Sequence, residues 1–238
     1  MLNSGASIQE LKKAKPERLA QIMDDLATLL EDEALAILEN PYVTPRICGA
    51  IAQSQRLAAY YSVRLRLVAH RQTPQAHAVK LIHYLYWFDL LRLSVDVRVP
   101  APVRRAIEAQ LLNRVEKLTL GERVSSARRC GTALIRVFLF DPHPRVFESL
   151  LINARLREDD LLALVNSDRA TREQLRMIGD DRKWSYRYAI RKALVLNPLT
   201  PHSTAASQLR HLSKRDRQQI YRNPETTVFV RKCIERLG

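Results

Sequence analysis

Residues 35–111 align without a gap on residues 162–238 at a constant offset of 127, and 17 of the 77 positions are identical. The identities include Thr44/Thr171, Tyr61/Tyr188, Arg64/Arg191, Thr73/Thr200, Pro74/Pro201, Asp89/Asp216, Arg104/Arg231 and Glu108/Glu235. A chain that repeats itself is built from units that cannot each bury their apolar face alone, and stacking neighbours completes the core. The repeat therefore points to a stacked array as soon as the repeated text is read as helix or strand.

The text reads as helix. Leu19, Ile22, Met23, Leu26, Leu29 and Leu30 fall at helical spacing and form one apolar stripe. Thr44-Pro45, Thr73-Pro74 and Thr200-Pro201 each place a Thr before a proline. The Thr oxygen is suited to accept from an orphan first-turn amide, and proline at the first helical position gives up an amide that had no partner. Thr171 with Gln174 has the spacing of a capping box, and Ser213 with Asp216 approximates one. Asn40-Pro41, Asp141-Pro142, Asn197-Pro198 and Asn223-Pro224 end the preceding helices, because proline disfavours the α region for the residue before it. An apolar helix, Asn-Pro, a short gap and Thr-Pro form a phrase that is whole at 38–51 and 194–203 and weakens at 68–76, where His70-Arg71 replaces Asn-Pro, and at 138–146.

The expected fold is all-α: an α-solenoid of short helices. Its expected parts are an acidic N-terminal helical cap at 1–34, a first repeat unit at 35–111, diverged helical repeats at 112–161 and a second copy at 162–238. The run Ile190-Arg191-Lys192-Ala193-Leu194-Val195-Leu196-Asn197-Pro198-Leu199-Thr200-Pro201 resembles the core of the leucine-rich repeat variant, a bacterial helical repeat. Residues 63–70 match that core in part. The resemblance covers about half of the chain and implies a superhelix of short helices, related in logic to HEAT repeats. The irregular spacing departs from the family, with Asn166 to Asn197 at 31 residues and Asn197 to Asn223 at 26. The cysteine cluster that holds an iron–sulfur group in one such protein is absent, so the resemblance implies no cofactor.

Charge bears on partners. The net charge is +14, and 30 of the 39 basic residues are Arg. Residues 1–40 hold 4 basic and 8 acidic residues, so the excess lies downstream. A solenoid needs a polar end, which an acidic first segment supplies; Glu31, Asp32 and Glu33 folding over a basic groove is the sharper alternative. A balance this basic favours a polyanionic partner, an acidic protein segment or nucleic acid. The plainer reading is an Arg-rich solvated face whose stems cover apolar surface. Lys183, Arg187 and Arg191 fall four residues apart and read as one helical face. With Arg64, Arg104, Arg105 and Arg231, and with Trp87 beside them, they are the candidate partner-binding residues.

Three distant cysteines, Cys48, Cys130 and Cys233, read as free thiols in a reducing compartment. The most apolar stretch, 81–95, is too short to span a membrane, so a cytoplasmic location is expected. No metal site is expected: His70, His77 and His83 lack the spacing of a zinc motif.

Asp89, in Tyr84-Leu85-Tyr86-Trp87-Phe88-Asp89, is the most enzyme-like residue. Its setting resembles HEAT-like alkylpurine DNA glycosylases, which pair a catalytic carboxylate with tryptophans and share the size and basic charge of this chain. The resemblance implies base excision with Asp89 as the carboxylate. The repeat argues otherwise: Asp89 aligns with Asp216, which stands among Lys214, Arg215 and Arg217 without aromatic neighbours, so a helix-start role is the simpler one. Tyr84, Tyr86, Trp87 and Phe88 read either as a stacking platform for bases or as a bulky plug between repeats. A non-enzymatic binding scaffold is the expected function, and a HEAT-like DNA glycosylase or other nucleic-acid-processing enzyme using Asp89 is the alternative.

Overall fold

The computed structural model describes residues 8–24 and 26–237, without the side chains of Met23 and Asp24. Part of the expected 1–34 cap, and Met23 of its apolar stripe, lie outside the described residues. Every regular element among the described residues is a helix. Contacts divide the chain into two units, Met1–Lys117 and Leu118–Gly238. The first contains α1 (Ile8–Lys13), α2 (Pro16–Asp24), α3 (Glu31–Glu39), α4 (Pro45–Gln53), α5 (Tyr61–Ala69), α6 (Gln75–Ile82), α7 (Trp87–Ser94) and α8 (Ala101–Arg114). The second contains α9 (Leu120–Ala127), α10 (Thr132–Phe138), α11 (Pro144–Leu151), α12 (Glu158–Val165), α13 (Arg172–Asp180), α14 (Arg182–Ser185), α15 (Tyr188–Leu196), α16 (His202–Leu209), α17 (Lys214–Arg222) and α18 (Val228–Leu237).

The offset of 127 governs the helix ends. Both ends of α4, α5 and α6 recur in α13, α15 and α16, and the first residues of α3, α7 and α8 recur in α12, α17 and α18. The register continues upstream of any visible identity: α2 and α11 start at Pro16 and Pro144, one residue off the same spacing. Packing follows suit. In the first unit α3 packs on α5, α5 on α6, and α6 and α7 on α8. In the second α12 packs on α15, α15 on α16, and α16 and α17 on α18. The interior of this last group is Val195, Ala205, Leu209, Leu212, Ile220 and Val230.

A recurring turn joins the helices. At a helix C-terminus a side-chain acceptor takes the backbone N–H two residues on. Asn40, Asn153, Asn197 and Asn223 do this at 2.8–3.0 Å, and Asp96 and Asp141 at 2.9 Å. His70 fills the same place through Nδ1, which accepts from Gln72 at 3.1 Å; burial, then Arg66, lowers its pKa and favours the neutral ring that can accept. Three of the asparagines also reach back to the helix pair before. Asn40 Nδ2 donates to Leu11 and Ala14, Asn153 Nδ2 to Ala127 and Cys130, and Asn197 Nδ2 to Val165. Buried polar groups must be paired, and these amides pair orphan helix-end carbonyls with the next turn.

Some punctuation differs from expectation. Thr44 caps α4 as expected, accepting from Ile47 at 3.4 Å, and Thr171 with Gln174 forms a full capping box on α13. Thr73 and Thr200 do not cap: α6 and α16 begin one residue later, with Pro74 and Pro201 at the N-cap, and both threonines are buried. Proline's fixed φ serves the extended N-cap as well as the first helical position, so the dipeptide leaves the start ambiguous by one residue. The stripe from Leu19 to Leu30 spans two elements. Leu19, Ile22 and Leu29 are buried, while Leu30 is the exposed N-cap of α3. Glu31, Asp32 and Glu33 form the first turn of α3, where the helix dipole favours carboxylates. There Glu33 accepts from the Leu30 N–H at 2.8 Å and Glu31 from Ser62 Oγ.

Two helical glycines should respond oppositely to Ala. At Gly179 an added Cβ would sit 2.3 Å from Thr204 Cγ2, where α13 meets α16, and a β-branched side chain in a helix has little freedom to turn away. At Gly49 the nearest atom is Pro74 Cγ at 3.6 Å, ordinary contact. Gly179→Ala is expected to destabilise by about 1–2 kcal/mol, strain outweighing propensity, and Gly49→Ala to stabilise by about 0.5–1 kcal/mol. Urea unfolding of the two variants checks the sign of each.

Candidate anion-binding edge

The N-termini of α5 and α7 meet at one edge of the first unit through Tyr61. Its hydroxyl donates to Asp89 Oδ2 at 2.5 Å and accepts from the Tyr86 N–H at 3.1 Å. Asp89 is the third residue of α7 and Tyr86 its N-cap. In a capping box a Glu at this place takes the N-cap N–H directly. Asp is one methylene shorter, and the tyrosine hydroxyl of the neighbouring helix bridges the gap. The second unit builds the same staple: Tyr188 donates to Asp216 and accepts from the Ser213 N–H at 3.1 Å, joining α15 to α17. Asp89 also pairs with Arg92 at 3.1 Å. The residue singled out for catalysis is thus engaged in the same staple as its counterpart.

Hydrogen bonds from Lys192, then Tyr188 and Ser213, hold the Asp216 carboxyl down at about 2, against an ordinary 3.8. A depressed folded value stabilises the protein above the unfolded value and loses that contribution as pH falls through the folded one. The Asp216 carboxyl carbon is expected to titrate near pH 2 by NMR and to move toward 3.8 in Lys192→Met.

Several candidate cations turn inward. Arg64 Nε donates to Ala58 O and its Nη2 to Ala59 O at 2.5 Å; Arg191 Nε donates to Ser185 O at 2.5 Å, 127 residues on. Arg231 Nη2 donates to Asn223 O and Pro224 O at 3.0 Å each. Arg104, its counterpart, is partly buried, and Arg105 is exposed. Lys183, Arg187 and Arg191 do not share a helix: α14 ends at Ser185 and α15 begins at Tyr188, with Arg187 as its extended N-cap. No proline or glycine marks that break, so spacing alone joined them. Trp87 is 5% exposed and belongs to the interior, because it starts α7 facing the core; it offers no stacking surface. Its neighbours Tyr84, Tyr86 and Phe88 are exposed.

Each unit then presents a tyrosine over the same latched arginine. The Arg64 guanidinium lies 5.2 Å from the Tyr84 ring centre and that of Arg191 5.4 Å from Tyr186. Tyr84 aligns with His211 and Tyr186 with Ala59, so different positions supply the ring. Tyr86 packs against Tyr61 with ring centres 4.4 Å apart.

The surroundings differ. Residues 1–117 hold 16 basic and 12 acidic residues, and residues 118–238 hold 23 and 13, so most of the excess belongs to the second unit. Nine basic and two acidic residues fall within 181–217. Arg182, Lys183, Arg187, Arg210, Lys214 and Arg215 are exposed there, and the Tyr188 staple brings 187–188 against 213–216. Lys183 lies over the Trp184 ring at 4.1 Å, and Arg187 is paired with Glu158 at 3.6 Å. Reading by spacing overlooked Tyr186, Arg210, Lys214 and Arg215 as a group, although the excess of cations over 182–217 was open to view.

A groove of about 610 Å³ in the first unit runs between the turns at Asn40, His70 and Asp96. Its Arg66 and Arg98 pair with Glu39 and Asp96 at 3.6 and 2.8 Å, so of its three lining arginines two are matched by carboxylates and Arg71 adds the excess. No group of three or more metal-ligating side chains, and no helix long and apolar enough to cross a membrane, occurs among the described residues. No family model, curated protein or solved structure matches this chain.

Proposed function

We propose that this chain is a non-enzymatic α-solenoid scaffold, built of HEAT-like or leucine-rich-variant-like repeats, that holds an anionic partner on a basic edge. The helix order supports the solenoid: helices pack on near neighbours in sequence, and inter-helix side-chain bonds such as those of Asn40, Trp184 and Gln174 span 29, 33 and 35 residues. Nearest-neighbour contact is the physical signature of a repeat array. The observation that carries the binding reading is the exposed cluster at 182–215, six cations at an edge where the Tyr188 staple aligns two helix starts.

Lys214 and Arg215 sharpen the point. They occupy the first two positions of α17, where the helix dipole disfavours positive charge. A local rule broken without a local gain marks a functional place. The buried Cys48 and Cys130 are free, and burial raises their pKa to about 11 and about 12, which suits a reducing compartment such as the cytoplasm.

Anisotropy of a labelled dextran sulfate at rising salt tests the reading. Saturable binding at low salt is expected, with affinity falling steeply and log-linearly as counterions compete. Lys214→Glu with Arg215→Glu is expected to weaken it at least tenfold. No binding at low salt would remove the anion-binding reading.

A further inference from the structure

We propose that the basic edge of the second unit binds single-stranded nucleic acid, with Tyr186 as the stacking ring and Arg187, Lys214 and Arg215 as phosphate contacts. The inference rests on the anionic-partner reading and names its partner.

The edge offers two chemistries together. Tyr186 is 75% exposed, the most open aromatic side chain described in the chain. One face of its ring is backed by Arg191, which is itself fixed by its hydrogen bond to Ser185 O. The ring is thus held in place, and its area remains open to solvent. An exposed, oriented aromatic ring recognises a flat π-face. Unpaired bases present that face and duplex bases hide it, so a single strand is favoured over a double one. A carboxylate-rich peptide brings charge without a flat partner, and the exposed ring would then go unused.

The cations sit on either side of the staple. Arg187 precedes Tyr188, and the Tyr188 hydroxyl bonds to the residues that flank Lys214 and Arg215. Arg187 has the long 3.6 Å Glu158 ion pair to give up, and surface pairs of this kind contribute little. A backbone tracked by these cations passes a ring seated between α14 and α15. The first unit supplies a control within the same chain. Tyr84 stands over Arg64 in the same way, yet the first two positions of α7 are Trp87 and Phe88 where α17 has Lys214 and Arg215. That unit has the ring without the phosphate contacts.

The test is anisotropy of the full chain with a labelled oligouridylate, a duplex of matched charge and dextran sulfate. Oligouridylate is expected to bind at least tenfold more tightly than either competitor. Tyr186→Ala should weaken oligouridylate about tenfold, as one stacked base is worth about 1–3 kcal/mol, and leave dextran sulfate unchanged. Tyr186→Phe keeps the ring and should keep the affinity. Lys214→Ala should weaken both polyanions and flatten the salt dependence. Tyr186 is exposed, so its variants are expected to match wild type in far-ultraviolet circular dichroism and melting. Equal binding of duplex or dextran sulfate, or a Tyr186→Ala protein that holds oligouridylate as wild type does, overturns the nucleic-acid inference and leaves the anionic scaffold standing. Failure of every polyanion at low salt overturns both.

Discussion

Asn153→Leu is expected to destabilise the second unit by about 4 kcal/mol, because each buried polar group left without a partner costs about 1–3 kcal/mol. The side chain is 1% exposed. Its amide donates to Ala127 O at 2.8 Å and Cys130 O at 3.2 Å, and its oxygen accepts from Arg155 N–H at 2.8 Å. Leucine fills nearly the same space and satisfies none of the three. The chain carries a reporter for each unit, Trp87 in the first and Trp184 in the second. Urea unfolding followed by Trp184 fluorescence, in a Trp87→Phe background, reads the effect in the second unit. A loss under about 1 kcal/mol would mean that the turn tolerates unpaired carbonyls, contrary to the usual cost.

Trp184→Ala is expected to cost a similar amount, about 3–5 kcal/mol, the range for truncating a buried aromatic. Trp184 is 2% exposed, and its Nε1 donates to Leu151 O at 3.1 Å, 33 residues away. The substitution removes the ring that α14 inserts into the core and leaves a helix-end carbonyl unpaired. Trp184→Phe separates the two contributions, since it keeps most of the ring and loses only the indole N–H. Unfolding followed by far-ultraviolet circular dichroism should show Trp184→Phe losing about a third as much as Trp184→Ala, near the 1–2 kcal/mol of one unpaired carbonyl. Equal losses would assign the whole effect to the hydrogen bond.

Several helix starts and the 127-residue register were legible in the sequence, because proline, Thr and Asn act locally. Thr44 caps α4 and Thr171 with Gln174 boxes α13 as their spacing implied. The site was legible only in part. A basic residue in a string carries no mark of whether it faces solvent or the chain's own carbonyls. Arg64, Arg191 and Arg231 are candidate partner-binding residues by sequence, and in the structure they donate to backbone carbonyls of their own unit. Trp87 and Tyr86 are adjacent, and the first lies inside while the second is exposed, because an N-cap and a first helical residue point apart. The break at Tyr186 and Arg187 has no proline or glycine to announce it, so a helical face was drawn through it. Asp89, shared by both copies, is part of a staple that both copies build.

The proposal that a basic edge on the second unit holds a polyanion is tested most directly by amide hydrogen exchange with and without dextran sulfate. Saturating polyanion at low salt is expected to slow exchange in peptides covering 182–191 and 210–217, with little change in the first unit's turns at Asn40, His70 and Asp96. Protection confined to those turns, or absent from 182–217, would contradict the assignment of the binding edge.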